Sequence, residues 1–542
     1  MIQKFKKFII LVVVFALLLT ATGCGANNEP AAGTRTFTLG TSAAFDTLNP
    51  LSSYMQVTYE FFTLVYDSLT TYDENLNPAP ALAKSWTVSD DNLTWTFKLQ
   101  EGVKWHDGQP FTSKDVKFTY DLMINTGLGY MYNSYLTGIT DVPCPDDLTV
   151  VITVDAPKAN MLMNTTPILP EHIFSQVAEE ELEAWPNSTP IGTGAFKFDS
   201  ADTGFVKIVK NPDYFGTQPT INEFIFVPYE NTDSMAQALM LGELDGATSL
   251  NPSQLKQLQE DKNISVISGE SRGFTQIGVN VWEDPASGGN PLLKEKVIRQ
   301  AIELSLNKQK IVDMAYNGQG LIGTTLVNPG DFYHYEPTDA ESRAYNADKA
   351  KDLLESAGYT DTNNDGVLET SDGTPLEFTL ISISDNLNEV KAAQLIAADC
   401  AAVGIKINNE TMDSGALQDM INAGTFDLFI WGWGADVDPT IILGLLTTDQ
   451  IGGNNEPHWS NAQYDELYLA QQAEMDQAAR KAMVQQMQQI AYDEAPYILL
   501  VYDNNIQAIR TDRWTGFKAI PESGLYFFNL TNYNYINLKP VK

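Results

Sequence analysis

Cysteine, histidine and basic residues are all scarce in this chain. Its 542 residues include 3 Cys and 4 His, and 33 Lys and Arg stand against 69 Asp and Glu. Cys24, Cys144 and Cys400 are too few for a disulfide framework, and no CxxC pattern is present. Cys144 and Cys400 leave two readings open, a single bridge or two separate thiols. His106, His172, His334 and His458 are scattered, which argues against a His-built metal centre and for packing or surface roles. The formal charge of −36 repels nucleic acid, so no nucleic-acid partner is expected. No GxSxG elbow, HExxH or P-loop occurs, and we expect no enzyme. After the first 23 residues no apolar run is long enough to span a bilayer, and no repeat of 20–50 residues is evident.

What is there begins at the N-terminus. Lys4, Lys6 and Lys7 precede an unbroken apolar run from Phe8 to Leu19. Twelve residues are too short for a spanning helix of about 20 and suit a signal-peptide core. Small residues then lead to Cys24 in ATGC. This resembles the lipobox of bacterial lipoproteins, with Ala21 where Leu is usual. The resemblance implies that residues 1–23 are a signal peptide and that Cys24 is acylated and holds the chain to the lipid bilayer. A cleaved signal with an incidental Cys is the alternative. Residues 24–34 read as a small, polar tether. Without residues 1–23 the chain carries 30 basic and 69 acidic side chains.

Strand and helix patterns alternate along the rest. In LTWTFKL, Trp95, Phe97 and Leu99 share one face, as in a half-buried strand. Val297, Ala301 and Leu304 recur at helical spacing, as do Ala350, Leu353, Leu354 and Ala357. Asp348 is the expected cap of the latter helix and Gly358 its stop. Asp107-Gly108 suits a tight turn, and Thr112 or Ser113 the cap of a helix near Lys114. Tyr464 to Ala495 reads as two long helices.

From Ala79 the chain reads APALAKSWTVSDDNLTWTFKLQEGVKWHDGQPFTSKDVKFTYDLM. This resembles the signature block of family 5 of the extracellular solute-binding proteins, receptors of ABC importers for peptides, dipeptides and nickel. PIGTGAFKF (190–198), KNPDYFG (210–216), LMLGELDGA (239–247), KVIRQAIELSLNKQKIVDMAYNGQG (296–320), AKDLLESAGY (350–359), FDLFIWGWGADVDP (426–439) and DEAPYILLVY (493–502) follow in the family's order. The resemblance implies an α/β, two-lobed periplasmic-binding-protein-like (type II) fold with an extra α/β subdomain in lobe I. Lobe I would take 35–77, 190–285 and 505–542, the subdomain 78–189, and lobe II 286–504. It further implies capture of a short peptide or other small solute by hinge closure, delivery to an ABC permease, and a monomer at the outer face of the cytoplasmic membrane. A binder of oligosaccharides and a peptide-sensing receptor are the alternatives on the same fold.

Within WGWGADVDP the resemblance implies that Asp436 pairs with the α-ammonium of a peptide. A loop-capping aspartate is the other reading. Trp433, with Gly434 and Ala435, would lie along the ligand, or Trp433 would be core. Tyr54, Met55 and Gln56 occupy positions that touch ligand in dipeptide-binding relatives, though the residues here are larger; a solvent-facing helix start is the alternative. Oligopeptide binders often carry an Arg in the segment before the Trp-Asp motif, but FDLFIW has none. A ligand carboxylate would then need Lys391, Arg272 or water. Trp282, Trp431 and Trp433 also suit a sugar.

No cofactor is required by any of these readings. A structural calcium ion is suggested by DTNNDGVLETSD (361–372), which resembles the start of an EF-hand loop. Asp361, Asn363, Asp365, the Val367 carbonyl and Asp372 would be its ligands, with Gly366 at the turn and Glu369 at the ninth position. An ion-free Asn/Asp/Gly turn is the alternative.

Overall fold

The local signals form the expected elements. Trp95, Phe97 and Leu99 point into the core from the strand Thr94–Leu99 while Lys98 faces solvent. Thr112 closes a capping box on the helix Ser113–Thr126. Its side chain accepts from Lys114 N–H, and Asp115 reaches back to the Thr112 N–H. This satisfies two donors that a helix start otherwise leaves open. The two helices expected over 464–495 are Ala462–Ala473 and Gln477–Glu494. The helix Ala347–Ser356 is capped two residues earlier than Asp348. Asn346 accepts from Lys349 N–H, which leaves Asp348 in the first turn, and Gly358 follows the helix with φ 94°. Asn346 wins because its extended backbone aims the side-chain oxygen at the open amides.

The structure is a computed structural model that describes residues 35–129, 132–434, 437–521 and 524–541. The expected signal peptide, Cys24 and tether therefore lie outside the described residues, as do Ala435 and Asp436.

One sheet of twelve strands organises the chain from Thr36 onward. Its order is 406–412, 377–383, 428–433, 274–279, 497–510, 246–247, 36–41, 223–228, 205–210 and 196–202, with 264–270 and 320–322 also paired to the long strand Tyr497–Arg510. A separate antiparallel sheet of four strands, 83–88, 94–99, 149–154 and 139–141, forms the subdomain. Helices cover the sheets, giving the two-lobed α/β architecture.

Two large apolar cores match the two lobes. The first holds Phe37, Phe61, Phe97, Trp105, Phe196, Phe224 and Tyr535, so lobe I and its subdomain share one interior. The second holds Phe274, Ile302, Leu380, Ile430, Leu443, Met487 and Leu500. The chain passes between them at 271–273 and again at 503–504. Phe274, Ile277, Val279 and Val281 already belong to the second core, so the first passage precedes the limit at 285 read from the sequence. The reason is pairing. The strand 274–279 lies between 428–433 and the first half of the long strand, while 264–270 pairs with the second half. Arg272 takes φ 61° at this passage, a conformation uncommon for a side chain larger than Gly or Asn.

The GTGAF block meets lobe I where two backbones nearly touch. A Cβ on Gly192 would lie 1.9 Å from the Val65 carbonyl oxygen, and one on Gly194 2.4 Å from that of Leu64. Only glycine admits this approach. Cys144 and Cys400 are both free thiols, which removes the disulfide reading.

Candidate functional site

Strand direction locates the site. In the second lobe, 377–383 runs parallel to 406–412 and 428–433. The first half of the long strand points the same way, because both it and 428–433 are antiparallel to 274–279. The carboxyl ends of this half are Ile383, Met412, Trp433 and Asp503. In the first lobe, 36–41 is parallel to 223–228 and 246–247. Because 246–247 is antiparallel to the long strand, their carboxyl ends meet the start of its second half near Asn505. Both sets of carboxyl ends therefore converge on residues 503–505, at the passage between lobes. Ligands of open α/β sheets bind in the crevice outside such ends.

The expected residues fall around this crevice. Tyr54, Met55 and Gln56 lie in the segment that follows Thr41. Met55 is the N-cap position of the helix Gln56–Val65, Tyr54 is 74% exposed, and Gln56 is exposed. Asp46 holds the turn. It accepts from Tyr54 N–H (2.7 Å), Thr58 Oγ1 (2.7 Å) and Ser53 Oγ (3.0 Å). Burial opposes the charge on Asp46, but these donors prevail and keep its carboxyl below the usual range.

Trp433 ends its strand half-buried and Gly434 is exposed. Trp433 Nε1–H donates to Glu456 Oε2 (3.2 Å), which also accepts from Tyr497 Oη (2.8 Å). Glu456 is buried, and burial pushes its carboxyl up to about 7. The indole is thus fixed through its polar edge while part of the ring stays open. Sequence reasoning missed Glu456, which sits in a loop with no motif of its own.

The neighbouring acidic residues of FDLFIWGWGADVDP are scaffold. Asp427 accepts from Asn290 N–H (2.7 Å) and Thr379 N–H (3.0 Å). Asp438 is buried in a two-pronged pair with Arg480, Oδ2 to Nη1 at 2.7 Å and Oδ1 to Nη2 at 2.9 Å. Of the expected carboxylate partners, Arg272 pairs with Asp331 and Lys391 is exposed on the helix Leu387–Ala401. Trp282 does not join Trp431 and Trp433. Phe274 pairs with Trp433 but Val279 pairs with Leu428, so Trp282 lies beyond the far end of the strand, about 17 Å of backbone away. There it packs on His458 with ring centroids 4.6 Å apart.

A cavity of about 340 Å³ sits apart from the carboxyl edge, between the helix Gln56–Val65 and the subdomain. Asp67 lines it, held by Thr193 Oγ1 (2.8 Å) and Tyr214 Oη (3.1 Å) and pushed up to about 6 by burial.

The loop 361–372 is wound on its own carboxylates. Asp361 accepts from Asn364 N–H (2.7 Å) and Gly366 N–H (3.0 Å), and Asp365 from Val367 N–H (2.8 Å). Carboxylate oxygens of Asp361, Asp365 and Glu369 lie within 4.8 Å of one another. Asp372 does not join them. It accepts from Thr374 Oγ1 (2.9 Å) and Thr370 in a separate turn. The chain turns back through the bridge between Thr360 and Glu369, which brings the ninth position inward and carries the twelfth away.

Comparison with known proteins identifies the family. Residues 77–453 match the family model described as bacterial extracellular solute-binding proteins, family 5, middle. The chain belongs to that family. It is 27% identical over 487 residues to the oligopeptide-binding protein AppA of Bacillus subtilis, covering 88% of each chain. It is 28% identical over 480 residues to di/tripeptide-binding protein 3 of Pseudomonas aeruginosa, covering 84% of this chain and 86% of that one. The structure of AppA in complex with a nonapeptide superposes with a TM-score of 0.77 at 25% identity, over 94% of this chain and 99% of that one.

Proposed function

We propose that this protein is the substrate-binding component of an ABC importer and captures short peptides between its lobes. The observation that carries this reading is the convergence of both sets of strand ends on residues 503–505, in a chain that matches an oligopeptide-binding and a di/tripeptide-binding protein over most of their length. Trp433, Gly434, Ala435 and Asp436 from lobe II and Tyr54, Met55 and Gln56 from lobe I form the ligand contacts. The passages at 271–273 and 503–504 are the hinge. The expected test result is a rise in melting temperature and a change in tryptophan fluorescence with short peptides. A peptide at 100 times its Kd adds about 2.7 kcal/mol of stability. Response to oligosaccharides with none to peptides overturns the reading.

The chain works as a lipid-anchored monomer on the outer face of the cytoplasmic membrane. The ATGC sequence ending at Cys24 supports the anchor, since two acyl chains hold a protein to a bilayer stably. Cell fractionation reads it, and release of the intact Cys24→Ser chain to the medium is the expected result.

Asp361, Asn363, Asp365, the Val367 carbonyl and Glu369 hold a calcium ion that pins this loop of lobe II. The inward position of buried Glu369 supports it. Calcium is expected to raise the melting temperature, and Asp365→Asn to abolish that rise. An equal melting temperature in calcium and in chelator overturns it.

A further inference from the structure

Lobe I holds a cavity with aromatic walls and charge of a single sign. It is the space of about 340 Å³ between the helix Gln56–Val65 and the subdomain. Tyr59 and Phe62 stand three positions apart on that helix, and Tyr66 follows four later as its C-cap, so the three share one face. All three are buried. Their rings form a continuous row, with centroids 6.0 Å apart from Tyr59 to Phe62 and 6.0 Å from Phe62 to Tyr66. Tyr214 and Phe215 supply a second wall, their centroids 4.8 Å apart. All five side chains line the cavity.

The cavity belongs to the edge of lobe I away from the crevice. The strand 205–210 runs antiparallel to 223–228 with Val209 opposite Glu223, so the segment 211–217 leaves from the amino edge of the lobe I sheet. Thr41 and Pro228 mark the opposite edge. Gly216 and Thr217 are exposed and part of the lining, which puts an opening at the amino edge. Asp67, one residue beyond the helix cap, lines the cavity and is 8% exposed. Tyr214 Oη donates to its Oδ1 and Thr193 Oγ1 to its Oδ2. Two neutral hydroxyls thus hold the carboxylate. Among the described residues it makes no ion pair, and no other residue of the lining carries a formal charge.

We propose that this cavity is a second binding site, independent of the crevice, for a small organic cation with an apolar body, such as a protonated arylalkylamine. Small-molecule sites are concave, of about 300–1,000 Å³, lined mostly by apolar and aromatic groups with a few placed polar ones. A buried carboxylate without a counter-charge is costly, and an entering cation removes that cost. A carboxylate accepts up to about four hydrogen bonds. Asp67 holds two from the hydroxyls, which leaves room for the charge-assisted bond of an ammonium N–H. The rings of Tyr59, Phe62 and Phe215 attract a cation through their faces and cover the apolar body. An anion meets Asp67 with no base to answer it and is excluded. The site stands whether or not the crevice takes peptides.

The test is calorimetric titration of the full soluble chain with phenethylamine, its neutral near-isostere 2-phenylethanol and the anion 3-phenylpropionate. The amine is expected to bind about tenfold more tightly than the alcohol, as one charge-assisted contact provides, and the anion not to bind. The nearly isosteric Asp67→Asn is expected to bring the ratio of amine to alcohol toward one. Phe215→Leu, at a half-buried position, keeps apolar volume but removes a ring face, and is expected to lower the same ratio several-fold. Melting temperatures report folding, and Phe215→Leu decides if Asp67→Asn does not fold. No binding of the amine, equal binding of amine and alcohol, or a ratio unchanged in a folded variant overturns the site. Titration of the amine into protein saturated with a short peptide separates the two sites. Unchanged amine affinity upholds the second site, and displacement of the amine by peptide overturns it. If no peptide binds, the peptide reading falls and the amine titrations decide the cavity by themselves.

Discussion

Arg480→Ala is expected to lower the unfolding free energy by about 3–5 kcal/mol, the penalty for leaving a buried charge alone. Arg480 and Asp438 are 4% and 2% exposed. The guanidinium also donates to Thr440 Oγ1 (3.0 Å) and to the Gln471 carbonyl (3.1 Å), and it lies over Tyr333 with 5.2 Å to the ring centroid. Truncation strands the buried Asp438 carboxylate, leaving the Thr440 N–H (2.9 Å) as its hydrogen-bond donor among the described residues. Urea unfolding should show a lower midpoint at unchanged slope. Arg480→Met combined with Asp438→Asn removes the stranded charge and should recover much of the loss. A single variant as stable as the wild type would show that the pair contributes nothing. Because Asp438 lies two positions after Asp436 in the chain, Arg480→Ala should weaken ligand binding as well.

Asp436→Ala is expected to weaken free-amine peptides by about 1–3 kcal/mol, roughly 5- to 150-fold in Kd. Asp427 and Asp438 are both held by the scaffold, and the pairing tested is the one proposed for Asp436 from the family resemblance. Closure of the lobes removes water from that contact, and an ammonium left without its carboxylate loses a charge-assisted bond. An N-acetylated peptide should bind the wild type as weakly as the free peptide binds the variant, and the variant should not distinguish the two. Unchanged affinity in both comparisons would refute the pairing.

The sequence was most informative where a few adjacent residues decide the structure. The Thr112 cap and the alternation of Trp95, Phe97 and Leu99 each act over a handful of positions. The helix start at 347 went to Asn346 rather than Asp348 because the two compete within one turn and only backbone direction separates them. The passage at 271–273 was invisible because it depends on which half of a distant strand takes up each partner. Glu369 rather than Asp372 faces Asp361 for the same kind of reason, a chain reversal that spacing alone does not reveal. The buried Glu456 that fixes Trp433 emerged only from packing.

The long strand Tyr497–Arg510 gives seven residues to each lobe's pairing, Tyr497–Asp503 on one side and Asn504–Arg510 on the other. Neither lobe can melt without stripping the other of an internal strand. Two bodies that swing separately in function therefore share a single unfolding event. Heat should dissolve the molecule in one transition, and a solute caught by either wall protects both.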